Sequence, residues 1–290
     1  MKKIFVMFLT LVMGSTLFIA PTTSVTEARQ NNATINVVSR EEGSGTRGAF
    51  IELFGLEERI DGRRRDLTTR NAIIANQTNI VLRNIANDAN AIGYVSLGSL
   101  NNTVKALQID GVAPTPANIK NGTYKAFRPF NIATKGVPTG LTKDFIDFIL
   151  SAEGQAVVVA NGYIAVGGDL ASYSGTRPSG RITVGGSTSV NPIMEKLKEA
   201  YIKINPNATI EIQMTDSTTG INGVINGIVD IGMASRAMRD SEKQQLRGIE
   251  MAYDGLAIIV NNRNPITGMT SADVKNIFVG QTTRWNDVTR

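Results

Sequence analysis

Nine consecutive residues, Ser39-Arg40-Glu41-Glu42-Gly43-Ser44-Gly45-Thr46-Arg47, hold two arginines, two glycines and three hydroxyl groups. Glycines let backbone N–H groups approach a guest closely, Ser44 and Thr46 add hydroxyl donors, and Arg40 or Arg47 supplies a full charge on a planar fork of N–H groups. Such a set suits an oxyanion. The same residues also make an ordinary tight turn, in which Ser44 or Thr46 only caps a helix.

The apolar run Ile35–Val38 before this segment predicts a strand, and Phe50, Leu53 and Phe54 after it fall at helical spacing. The segment therefore joins a strand to a helix N-terminus, where unpaired N–H groups and the helix dipole favour negative charge. Two further joins repeat the pattern. Ile182–Val184 leads through Gly185-Gly186-Ser187-Thr188-Ser189 into a helical face of Val190, Ile193, Met194, Leu197, Tyr201 and Ile204. Ile210–Met214 leads through Thr215-Asp216-Ser217-Thr218-Thr219-Gly220 into Ile221, Val224, Ile225 and Ile228. Three such joins point to loops that converge on one ligand. Leu141, Phe145, Phe148 and Ile149 form another helical stripe with Thr142 as a candidate cap, and Thr270 with Asp273 resembles a capping box; both read as scaffold.

Alternation of strand-like and amphipathic segments predicts an α/β architecture, and 290 residues leave room for about two domains. An apolar fraction of 42% with 19% charged residues is that of an ordinary globular protein. Lys2 and Lys3 precede the apolar stretch Ile4–Ala20 and small residues up to Ala28, the layout of an export signal over residues 1–28. No other stretch is apolar enough to cross a bilayer. The absence of cysteine excludes disulfides, thiol catalysis and cysteine-held metals, and the absence of histidine removes the commonest general base and most zinc chemistry. No cofactor and no metal site is expected. The net charge is +5, and the densest basic run, Arg63-Arg64-Arg65, lacks interleaved aromatics, so it reads as a solvated surface and not as a nucleic-acid patch. Gly167–Gly180, rich in Gly, Pro, Ser and Thr, reads as a linker.

Residues 180–290 resemble the first part, and residues 34–166 the last part, of the phosphate-binding proteins that serve bacterial phosphate ABC importers. The resemblance rests on Gly186-Ser187-Thr188-Ser189, Asp230-Ile231-Gly232-Met233-Ala234-Ser235-Arg236, Asp254-Gly255, Ile277-Phe278-Val279-Gly280 with Trp285-Asn286, Ser39–Arg47, Ala91-Ile92-Gly93-Tyr94 and Ile109-Asp110-Gly111-Val112. These blocks stand in the reverse of the family's order, so the chain resembles a circular permutant. Halves of neighbouring gene copies read as one chain, or halves swapped between molecules, would give the same order.

The resemblance implies a two-lobed α/β fold of the type II periplasmic-binding-protein kind, with a ligand cleft between the lobes. One lobe would be residues 130–258, including the linker 167–180 that joins the family's usual ends; the other would be 34–127 with 262–290. The chain would cross between them near Arg128–Ile132 and Ile259–Asn262. Carried over by position, Thr188, Ser189 and Ser217 would donate to phosphate from one lobe, and Arg40, Ser44, Gly45 and Thr46 from the other. Asp254 would provide selectivity, since a carboxylate beside an anion is repulsive unless the anion brings a proton; a solvated Asp-Gly turn is the alternative. Arg236 stands where some family members carry aspartate, and it could touch the ligand, pair with Asp254 or face solvent. Arg47 is a further candidate around the ligand. Glu42 either orients Arg40 through an ion pair or is simply exposed, and Trp285 is read as packing.

The resemblance thus implies an exported, non-enzymatic, monomeric receptor that binds inorganic phosphate and delivers it to an importer permease. A receptor for sulfate or molybdate, or a phosphate-sensing interaction protein, are the alternatives. A phosphate-ester hydrolase fits least, for want of a base or a metal cluster.

Overall fold

The computed structural model describes residues 33–61 and 63–288, so the expected export signal at 1–28 lies outside the described residues. Nine strands form one sheet: β1 (Asn36–Arg40), β2 (Ile73–Ala75), β3 (Ala91–Ser96), β4 (Val104–Ala106), β5 (Phe127–Thr134), β6 (Gly180–Ser187), β7 (Ala208–Thr215), β8 (Ile231–Ala234) and β9 (Arg247–Asn261). Their order is β7-β6-β8-β5-β9-β3-β1-β2, with β4 also on β9. At one end β6 runs parallel to β7 and β8, and at the other β1 runs parallel to β2 and β3. The strands β5 and β9 join the two ends as an antiparallel pair, from Arg247↔Thr134 to Gly255↔Phe127, with a register shift between Glu250 and Ala252. Beyond that, β9 pairs with β3 from Leu256↔Ser96 to Val260↔Ile92.

The apolar side chains collect around the two ends separately, which makes the fold two-lobed. Phe130, Phe145, Ile193, Leu197, Tyr201, Met233 and Met251 pack in one core, and Phe50, Tyr94, Leu256, Ile258, Phe278 and Trp285 in the other. Along β9 the change of core falls between Ala252 and Leu256. That is earlier than the crossing expected at Ile259–Asn262, because Ile258 and Val260 are already buried against Tyr94 and Phe50 in the second core.

The helices of eight or more residues among the described residues are α1 (Gly45–Phe54), α2 (Thr78–Asn87), α3 (Gly140–Leu150), α4 (Ala152–Ala160), α5 (Asn191–Ile204), α6 (Ser217–Ile225) and α7 (Ser271–Phe278). In α1 the Ser44 hydroxyl accepts from the Arg47 N–H, and Gly55 closes the helix at φ +66°, a left-handed conformation that costs glycine least. Thr270 and Asp273 form the expected capping box of α7. Thr142 does not cap α3, which begins one turn earlier with Thr139 at its N-cap. The stripes on α3 and α5 are buried as their spacing predicts, but Leu53 is half-exposed and Ile228 lies beyond the end of α6, 70% exposed.

Residues 167–179 carry no regular structure, and α3 pins them in place. The buried Asp144 carboxylate accepts from the Tyr173 hydroxyl, from the Tyr201 hydroxyl at 2.6 Å and from the Thr176 N–H at 2.8 Å. Burial raises the Asp144 pKa, and these donors outweigh it and hold the carboxyl below its ordinary value. The first and last described segments meet. Thr34 bridges to Arg284, Ile35 N–H donates to the Thr283 carbonyl at 2.8 Å, and Trp285 N–H donates to the Ala33 carbonyl at 3.1 Å.

Candidate anion-binding site

The three sequence joins meet between the lobes. The Thr46 hydroxyl, in the first turn of α1, lies 2.8 Å from the Ser189 hydroxyl of the opposite lobe. Beside it Gly45 packs so tightly on the start of α6 that a Cβ there would stand 2.3 Å from Ser217 Oγ. Thr218, one residue on, donates to the Gly43 carbonyl through both its N–H at 3.2 Å and its hydroxyl at 3.1 Å. The two lobes are thus in contact across the cleft, held by hydroxyls and backbone.

Arg40 ends β1 with its side chain 3% exposed and its guanidinium shared among three partners. Nε and Nη2 donate to the Glu41 carboxylate, each at 2.7 Å; Nη1 donates to Thr78 Oγ1 and Nη2 to Thr188 Oγ1, each at 3.2 Å. The Arg40 backbone is fixed too. Its N–H donates to the Tyr94 hydroxyl at 3.1 Å, the same hydroxyl lies 2.8 Å from Ser39 Oγ, and the Tyr94 ring stacks on Phe50 with centroids 4.0 Å apart.

Two residues that sequence reasoning did not pick complete the cluster. Thr78, the first residue of α2, lies 3.1 Å from Thr188 Oγ1 and 3.2 Å from Ser189 Oγ. Ser235, just past the end of β8, accepts from the Ser187 hydroxyl at 2.9 Å, lies 3.3 Å from Thr46 Oγ1, and donates its N–H to Ser217 Oγ at 3.1 Å. Both carry a readable signal in retrospect. Ile73-Ile74-Ala75 leading to Thr78 before Ile80, Val81 and Ile85 is a fourth strand-to-helix join, and Ser235 directly precedes the arginine that drew attention instead.

Other expected residues stand outside the cluster. The Ser44 hydroxyl is used as the α1 cap, 3.3 Å from Arg47 N. Arg47 braces the loop from behind, donating to the Arg40 carbonyl at 2.6 Å and to Asp66 at 2.6 Å and 2.9 Å. Glu42 is exposed, and it is Glu41 that pairs with Arg40. Arg236 neither pairs with Asp254 nor faces solvent: it makes a two-point ion pair with Glu242, at 2.8 Å and 2.7 Å. Asp254 is buried in a partnership of its own, accepting from Arg128 at 3.1 Å and from Ser96 at 2.8 Å. Burial pushes the Asp254 carboxyl up, against the pull of the Arg128 guanidinium and the Ser96 hydroxyl.

The cluster is rich in hydrogen-bond donors. The hydroxyls of Thr46, Thr78, Thr188, Ser189, Ser217 and Ser235 hydrogen-bond to one another or to Arg40 and to backbone N–H groups, and among the described residues no carboxylate stands behind any of them as a base. The described residues also contain no group of three or more acidic side chains that could hold a metal. A buried cluster of hydroxyls around one arginine is a cage of donors for a small anion.

Comparison with known proteins agrees with the geometry. Residues 24–153 and 171–290 match the model of the PBP superfamily domain. The phosphate-binding protein PstS 2 of Streptococcus agalactiae is 49% identical over 263 residues, covering 90% of this chain and 89% of that protein. The corresponding protein of Streptococcus pneumoniae is 42% identical over 265 residues, covering 91% of each. The crystal structure of the phosphate-binding protein of a phosphate ABC transporter from Streptococcus pneumoniae TIGR4 superposes with a TM-score of 0.71 at 43% identity, covering 89% of this chain and all of that one. With its two lobes meeting over a caged donor cluster, the chain belongs to the PBP superfamily and, within it, to the family of phosphate-binding proteins.

Proposed function

We propose that this protein binds inorganic phosphate between its lobes and hands it to an ABC-type importer, without chemical turnover. The observation that carries the reading is the buried contact of Arg40, Thr46 and Thr78 from one lobe with Thr188, Ser189, Ser217 and Ser235 from the other. A tetrahedral oxyanion wants many N–H and O–H donors around it, and each lobe brings half of them, so binding is linked to closure. Phosphate as the ligand follows the names of the streptococcal relatives, as does the importer as partner. Export is part of this reading, supported by Lys2 and Lys3 followed by the apolar stretch Ile4–Ala20. The protein works as a monomer in this reading, because the cage is completed within one chain.

Calorimetry on phosphate-stripped protein is expected to give a one-to-one isotherm with micromolar affinity or better, about 8 kcal/mol of binding free energy. An absence of heat with phosphate, with strong heat from molybdate, would reassign the ligand.

The reversed order of the family blocks is in this reading a circular permutation. The streptococcal relatives align along 90% of the chain, so they share its order, which counts against an accidental fusion of gene copies. The meeting of Ala33–Ile35 with Thr283–Trp285 supports the reading as well, since permutation requires neighbouring ends. Joining the two ends by a short linker and reopening the chain between residues 167 and 180 is expected to yield a monomer with phosphate affinity within about threefold of the original. A concentration-dependent dimer would point to swapped halves.

A further inference from the structure

The cage hydroxyls touch one another across the cleft, as Thr46 and Ser189 do at 2.8 Å, so an anion that enters takes the place of such contacts. One bridge between the lobes stands apart from them. The Gly43 carbonyl, in the loop between β1 and α1, accepts from the Thr218 N–H at 3.2 Å and from the Thr218 hydroxyl at 3.1 Å. Ser217 is fully buried, but Thr218 is half-buried and Thr219 exposed, which puts this bridge at the rim of the cleft.

Both partners are held in position within their own lobes. Asp216 caps α6, accepting from the Thr219 N–H at 2.9 Å and from the Thr219 hydroxyl at 2.6 Å. The Thr218 N–H, in the first turn of α6, has no intrahelical carbonyl to reach. On the other lobe the Ser44 N–H donates to the Glu41 carbonyl at 3.1 Å, a turn that fixes the Gly43 peptide. Asp216 also lies against Gly43, where a Cβ would stand 2.4 Å from Asp216 Oδ1, so a side chain at 43 would press the two loops apart. With the lobes separated, carbonyl and donors turn to water. With the lobes closed, a loop of one lobe completes the N-terminus of a helix in the other.

We propose that Thr218 and the Gly43 carbonyl form a latch that sets how long a bound anion is kept, without touching the anion. The proposal rests on the phosphate reading above and concerns release from that same site. The latch forms only once the lobes are together, so it bears on reopening and not on the encounter of phosphate with the open cleft. Bound phosphate leaves through the open form, and the release rate grows with the open fraction. One neutral hydrogen bond at a half-buried position shifts that balance by about three- to tenfold.

The test follows radiolabelled phosphate on the full chain, as release into excess unlabelled phosphate and as uptake by phosphate-stripped protein. Thr218→Val removes the hydroxyl and keeps the branched shape and the N–H; release is expected to quicken about three- to tenfold with uptake unchanged. Thr218→Ser, which keeps the hydroxyl, is expected to release near the parent rate. Thr219→Val makes the same change at a hydroxyl whose partner, Asp216, lies in the same lobe, and is expected to leave release as it is. Gly43→Ala reaches the latch from the other lobe and is expected to quicken release too, after which adding Thr218→Val changes release no further. Release at the parent rate in Thr218→Val, equal quickening in Thr219→Val, or fully additive effects in the double variant overturns the latch and leaves the phosphate reading intact. Failure of the parent protein to take up phosphate overturns the phosphate reading instead.

Discussion

Arg40→Ala is expected to weaken phosphate binding by about 10³-fold or more while leaving both lobes folded. The guanidinium supplies the cage's full positive charge, and it also aims Thr78 and Thr188, which come from opposite lobes. Hydrogen bonds to a charged group are each worth about 1.5–3 kcal/mol, so losing two of them, with the attraction for the anion, amounts to at least 4 kcal/mol or so. Removing Arg40 also leaves Glu41 unneutralised beside the anion, which adds repulsion. The Glu41 side chain is 20% exposed and can rehydrate, so the fold loses little. Arg40→Lys, which keeps the charge and loses the fork, should fall between the two. Calorimetry measures the affinity, and thermal unfolding without phosphate checks the fold. Unchanged affinity in Arg40→Ala would place the ligand elsewhere. The single variant is a cleaner test than one that also removes Ser44, since Ser44 caps α1 and its loss is expected to cost about 1 kcal/mol of stability by itself.

Gly45→Ala is expected to cut affinity by about 100-fold or more through a different route. The added methyl would stand 2.3 Å from Ser217 Oγ and 2.8 Å from Ser235 Oγ, both on the opposite lobe, so it blocks closure and spares the interior of either core. Alanine in the first turn of a helix is favoured over glycine by roughly 0.5–1 kcal/mol, so ligand-free stability should hold or rise slightly. Affinity falls because the closed form becomes a minor species: the observed dissociation constant grows as the closed fraction shrinks. Slowed association with unchanged affinity in stopped-flow and calorimetry would show that the lobes find another closed arrangement. Together the two variants separate the charge of the cage from the motion that assembles it.

Much of this was legible in the residues themselves. The joins at Ser39–Arg47, Gly185–Ser189 and Thr215–Gly220 are local patterns, in which a strand period gives way to a helix period across Gly, Ser and Thr, and all three lie at the cleft. The capping box at Thr270, the buried stripes of α3 and α5 and the packing role of Trp285 are equally local. Thr78 and Ser235 escaped notice because a lone hydroxyl at an element end looks like a cap or a surface residue until its partners, from Thr46 to Thr188, are known.

By itself the sequence determined where hydroxyls and glycines would meet helix starts, and that neither thiol nor imidazole chemistry was possible, because both depend on residue type and short spacing alone. Only the tertiary structure decided the ion pairs. Arg40 took Glu41 and not Glu42, Arg236 took Glu242, and Asp254 took Arg128 across the β5–β9 register. The reason is physical: a buried charge settles on whichever opposite charge the packing brings within hydrogen-bond reach, and that partner can lie one residue away or more than a hundred.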